Sequence, residues 1–109
     1  MLSWEEFEAV DIRTGTILEA EPFIGARKPA YKLVIDFGPL GIKRSSAQIT
    51  DYYKPENLIG LQIVAVVNFP PKQIATFFSE CLVLGVVEPD KKVILLSTTQ
   101  KCSNGLKIA

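Results

Sequence analysis

Ile63-Val64-Ala65-Val66-Val67, followed at once by Asn68-Phe69-Pro70-Pro71-Lys72-Gln73-Ile74, decides how this chain is read. Five β-formers in a row, with no polar alternation, predict a strand covered on both faces. The run stops at an amide and two prolines. Proline has no N–H and a fixed φ, so a central strand cannot pass through such a pair. The chain is therefore expected to leave its sheet on a stiffened loop. That loop presents Asn68, Lys72 and Gln73 as hydrogen-bond donors beside a strand end, where binding groups tend to sit. The same residues also suit a solvated turn that only ends a strand.

Working outward, Leu82 to Val87 has the same unalternating character and reads as a second doubly covered strand, opened by a buried Cys81 thiol. Tyr31, Leu33, Ile35 and Phe37 alternate with Lys32, Val34 and Asp36, the pattern of a half-buried strand. Gly38-Pro39-Leu40-Gly41 turns the chain into Ile42 to Ser46, the returning strand of a hairpin. Thr14, Thr16 and Ile17 favour a strand over Ile12 to Ala20. Pro22 to Pro29 is a loop bounded by prolines. Ser3 and Glu6 form a capping-box pattern that predicts a short helix from Trp4 to Ala9. A helical turn after Tyr52 ends at Gly60, because glycine suits the left-handed C′ position. Pro89 to Lys92 turns the chain into Val93 to Leu96, and Ser103-Asn104-Gly105 makes a last turn. Short strands at spacings of about 8–12 residues predict a small barrel or sandwich. An all-β OB-fold, a partly open five-stranded barrel with short helices and terminal extensions, fits this inventory as one domain over residues 1–109.

The bulk numbers remove several functional classes. Lys and Arg total 12, as do Asp and Glu, so any nucleic-acid role requires charges segregated by face. The chain has no histidine, which removes Ser-His-Asp and Cys-His catalysis and the commonest metal ligand. Cys81 and Cys102 are the only cysteines, too few for a four-ligand zinc cluster, and they read as free thiols. No phosphate-binding glycine loop and no nucleophile–base pair can be assembled. The expectation is a protein that is not an enzyme and needs no metal or cofactor. Acids near the start argue against a signal peptide, and no run approaches ~20 apolar residues, so a cytoplasmic protein without membrane insertion is expected. Apolar residues, glycine included, run slightly above the usual share, compatible with a surface kept for a partner.

The candidate binding residues each carry two readings. Lys43 and Arg44 face opposite sides of their strand, so one of them at most joins a given groove, and both suit a charged edge that blocks aggregation. Lys32 points outward. Phe77, Phe78 and the tyrosines suit either base stacking or the core. Ser79-Glu80 suits either contact with a base edge or ribose, or a turn cap. Asn68, Lys72, Gln73, Ser79 and Glu80 together make a donor-and-acceptor rim flanking two strands.

Five blocks occur in order: Asp11-Ile12-Arg13-Thr14-Gly15, Lys32-Leu33-Val34-Ile35-Asp36, Ser45-Ser46-Ala47-Gln48-Ile49, Val67-Asn68-Phe69-Pro70-Pro71-Lys72 and Ser79-Glu80-Cys81-Leu82-Val83-Leu84-Gly85. From about Phe7 to Ile108 the chain resembles the tRNA-binding domain appended to some aminoacyl-tRNA synthetases. Within that superfamily it is most similar to the CsaA family of free-standing, export-associated chaperones. The resemblance implies an OB-fold and a homodimer assembled with terminal segments outside the barrel. It also implies tRNA as a partner, recognised by shape and backbone, and unfolded or exported polypeptides as a second class of partner held in an apolar dimer groove. It places the RNA surface at Asn68 to Gln73 and Ser79-Glu80, and to these we add Lys32, Lys43, Arg44 and Gln48 as further expected contacts. Relatives with two basic residues at the positions of Lys72-Gln73 carry one more charge, so the salt slope here should be shallower by about one unit or slightly less.

Overall fold

The computed structural model describes residues 1–109. Ser3 and Glu6 form both halves of the capping box, and α1 runs over Trp4–Glu8. The strands are β1 (Ile12–Pro22), β2 (Tyr31–Asp36), β3 (Ile42–Ala47), β4 (Gln62–Val66), β5 (Lys72–Ile74), β6 (Phe77–Ser79), β7 (Leu82–Val83), β8 (Gly85–Val87) and β9 (Val93–Leu95), with α2 (Pro55–Leu58) before β4. Gly60, at φ +88°, follows the C-cap Ile59 of α2, the position that glycine occupies without strain.

Five strands form one antiparallel sheet in the order β3-β2-β1-β4-β7. β1 serves both halves: Ile12 to Thr16 pair with β4, and Thr16 to Pro22 pair with β2. The register slips between Ile17 and Glu19, and such a bulge bends and twists the strand so that the sheet can curl. The curl brings β3 towards the residues just before β7. There the Arg44 N–H donates to Glu80 Oε1 at 2.9 Å, the Glu80 N–H donates to the Arg44 carbonyl at 2.8 Å, and the Ser45 hydroxyl donates to the Cys81 carbonyl at 2.8 Å. These bonds stitch the two edges and nearly close a barrel, which removes exposed edges that would recruit other chains.

The core follows from the alternation seen in β2. Leu33 and Ile35 are fully buried with Ile17, Phe37, Leu58 and Ile63 in a cluster of 11 buried residues. Gly15 sits inside β1 because a Cβ there would lie 2.7 Å from the Phe37 ring. Two sequence expectations need correction. Leu82 to Val87 is not one doubly covered strand. Gly85 ends the pairing with β4, and Gly85–Val87 pairs instead with β9, leaving Leu82, Val86 and Val87 exposed. The segment after the proline pair is also more ordered than a loop. Lys72 to Ile74 and Phe77 to Ser79 form a hairpin, paired Lys72 with Ser79 and Ile74 with Phe77. The proline pair ends β4 as expected, and the chain then starts a new, separate ribbon.

Candidate functional site

The β5–β6 hairpin faces the proline-bounded loop of residues 23–30, and the two are held by an apolar cluster of their own. Phe23, Ala30 and Phe77 are its buried members, with Ala26 and Ile74 packed against them. The Phe23 N–H donates to the Ala30 carbonyl at 2.9 Å, closing the base of the loop. The Phe23 and Phe77 rings meet edge to face at 5.4 Å. Lys32 Nζ lies 4.9 Å from the Phe23 ring centre and 5.4 Å from that of Phe77, and the Arg44 guanidinium lies 5.3 Å from Phe77. Both cations are drawn to the ring faces.

Between loop and hairpin runs a groove of about 1220 Å³. Its buried lining is Phe23, Ala30 and Cys81. Its exposed rim carries Arg27 and Lys28 from the loop, Gln48 from beyond β3, and Lys72 and Gln73 from the hairpin, with Phe69 and Pro70 at the lip. Three cations and no carboxylate line the groove. In a chain of zero net charge that is segregation by face, the condition a nucleic-acid surface would have to meet. Burial pushes the Cys81 thiol up to about 11, with the Ser45 hydrogen bond and Lys43 opposing, so this part of the lining stays neutral at pH 7.

The predicted residues fall into separate places. Gln48, Lys72, Gln73 and Ser79 line the groove. Gln73 Nε2 donates to the Ala75 carbonyl at 3.0 Å, which steadies the hairpin tip. The Ser79 hydroxyl accepts from the Ser46 N–H at 3.2 Å and donates to the Cys81 carbonyl at 3.3 Å, so part of its bonding capacity is used within the chain. Lys32 and Arg44 line a smaller cleft of about 180 Å³ together with Glu19, Glu21 and Phe77, where charge is balanced. Glu80 takes part in barrel closure through Arg44, with its carboxylate 3.8 Å from Arg44 Nε. Lys43 pairs with Ile35 and points to the opposite face of β3 from Arg44, which pairs with Val34.

Asn68 stands apart from both the groove and the cleft. Its Oδ1 accepts from the Asp11 N–H at 3.0 Å and its Nδ2 donates to the Ala9 carbonyl at 2.8 Å. The side chain clasps the end of α1 to the end of β4, while remaining at the surface. Arg27, Lys28 and Phe69 belong to the groove and were not singled out from the sequence. The adjacent cations of Arg27-Lys28, confined between Pro22 and Pro29, were the available signal.

The family model described as "Putative tRNA binding domain" matches residues 12–107. The chain is 56% identical to the chaperone CsaA of Bacillus anthracis, at a TM-score of 0.96, covering 100% of this chain and 99% of that one. Its likeness to the CsaA chaperone protein of Picrophilus torridus is 53% identity at a TM-score of 0.94, with full coverage of both, 100% and 100%. It is also 40% identical over 83 residues to the methionine–tRNA ligase of Leptospira interrogans, covering 76% of this chain and 12% of that protein. The chain spans a small part, 12% to 15%, of the curated ligases it matches.

Proposed function

The chain belongs to the tRNA-binding-domain family and, within it, to the CsaA group; on that premise we propose that it is a non-catalytic tRNA-binding protein whose groove between residues 23–30 and the β5–β6 hairpin meets the RNA. The observation that carries this reading is the lining itself, with Arg27, Lys28 and Lys72 present and carboxylates absent. Phosphate contacts position an RNA and give affinity through counterion release, so cations gathered in one concavity are what backbone recognition needs. Gln48, Gln73 and Ser79 add hydrogen-bonding groups beside them. Lys32 and Arg44, held over Phe23 and Phe77, would offer further phosphate contacts from the neighbouring cleft, where Glu19 and Glu21 balance their charge. Asn68 and Glu80 fix the chain on either side of the hairpin, Asn68 through Ala9 and Asp11 and Glu80 through Arg44, and Lys43 adds a cation on the opposite face of β3 from Arg44.

Filter binding of bulk tRNA across a salt series tests the reading. Affinity should fall steeply from low to moderate salt, and Lys72→Ala should weaken all tRNAs alike while flattening the slope by up to about one unit. Absence of salt-sensitive association with any tRNA overturns it.

A second reading is favoured by the apolar members of the same groove, Phe23, Ala30, Ile74 and Leu82, and by the chaperone relatives. The groove would then hold extended segments of unfolded or exported polypeptide by hydrophobic contact, with weak salt dependence. Suppression of aggregation of a denatured client at equimolar ratio tests it. We also read the protein as a cytoplasmic homodimer. Val86 and Ile94 face each other across β8–β9 and remain exposed, as does Trp4 on α1, and a two-fold partner would cover such apolar surface. Light scattering should give twice the monomer mass. No helix of the structure is long and apolar enough to cross a membrane.

A further inference from the structure

The lining of the groove says which part of an RNA it suits. A duplex shows phosphates and sugars outward and keeps its bases stacked inside. Cations alone would serve such a surface. Here the cations sit only at the rim, and the same groove is lined by the apolar surfaces of Phe69, Pro70 and Leu82, all exposed. Phe69 is 53% exposed and packs in neither apolar cluster. An aromatic ring left bare beside a proline, with amides and a hydroxyl close by, matches the flat apolar face and polar edge of a nucleobase. The phosphate ladder of a duplex would leave that apolar strip facing charge.

Resting on the tRNA reading, we infer that the groove takes unpaired nucleotides of the RNA, with a splayed-out base stacked on Phe69 and the flanking phosphates held by Arg27, Lys28 and Lys72. The charge complement fixes the occupant as a polyanion, and the bare ring fixes it as one with exposed bases. Gln48 and Gln73 are the groups placed to meet the base edge, since amides offer both a donor and an acceptor. Three phosphate contacts to a single strand correspond to a slope of log affinity against log salt of about −2.

Fluorescence anisotropy with a labelled single-stranded oligoribonucleotide of about 10 nucleotides, within the footprint of one OB barrel, tests this beside the same strand annealed to its complement and beside bulk tRNA. The single strand should bind at least about tenfold tighter than the duplex. Phe69→Ala should weaken the single strand by roughly 5- to 140-fold, the range of one lost base stack, without changing the salt slope. Phe69→Trp should retain binding, because the larger ring still stacks, and Lys28→Ala should flatten the slope by about 0.7. Equal binding of duplex and single strand, or indifference to Phe69→Ala, overturns the inference. If tRNA binds in a salt-dependent way and the single strand does not, the inference falls while the tRNA reading stands. If neither binds, both fall. Binding of reduced, carboxymethylated lactalbumin without binding of the oligonucleotide assigns the groove to polypeptide and likewise overturns it.

Discussion

The barrel and the walls of its groove are built around two apolar clusters of very different depth. Eleven buried residues, centred on Leu33, Ile35, Phe37 and Ile63, hold the barrel. Three, Phe23, Ala30 and Phe77, hold the walls. The barrel strands are joined by main-chain hydrogen bonds across one five-stranded sheet, whereas the hairpin is a ribbon of two three-residue strands. An isolated two-stranded ribbon is marginal in water, so its packing on Phe23 and the cations over its rings decide whether it stays in place. The difference separates two tasks. A deep core sets a rigid frame, and a thin satellite core presents polar and basic groups that can adjust to a ligand without opening the frame.

Substitutions that cut into each core in turn should separate the two clusters. Leu33→Ala removes a fully buried side chain from the barrel and should cost about 2–5 kcal/mol in urea unfolding. The second test uses pH at the seam, since Cys81 belongs to the barrel core and also lines the groove. Burial raises its thiol from the ordinary 9.0 to about 11. Between those values the unfolded chain ionises while the folded chain stays protonated, so stability is fully present below about pH 9 and is lost as pH rises to about 11. The loss should be on the order of 2 kcal/mol, and Cys81→Ala should remove that part of the pH dependence.

Phe77→Ala tests the walls. It should lower global stability by less than about 2 kcal/mol while amides of Lys72 to Ser79 lose hydrogen-exchange protection and those of Ile63 to Val66 keep theirs. Equal loss of protection in both segments would show one cooperative unit and end the distinction. The smallest effect is expected at the hairpin tip, where Ala75 sits at φ +55°. Glycine adopts positive φ at the first position of a two-residue hairpin turn without strain, so Ala75→Gly should stabilise the hairpin by about 0.5 kcal/mol, read as slower exchange over residues 72–79 alone.

Local rules made much of the barrel legible. The alternation of Tyr31 to Phe37 announced β2, Ser3 with Glu6 announced α1, and Gly60 announced the end of α2, because each rests on contacts a few residues apart. Reading failed where a distant partner decided the outcome. Leu82 to Val87 has the composition of one central strand, yet β4 pairs with only Leu82 and Val83, and β9 takes Gly85 to Val87. The rim expected from neighbouring residues was likewise divided, since Asn68 turned to Ala9 and Asp11, and Glu80 turned to Arg44.

Periodicity and composition alone carried β1 to β4 with the turns between them, the burial of one face of β2, and the absence of histidine chemistry. The grouping of charge came instead from packing between distant segments. Arg27 and Lys28 meet Lys72 across a groove because Phe23 and Phe77 pack together, and ring packing between segments far apart in the chain leaves no periodic trace in either.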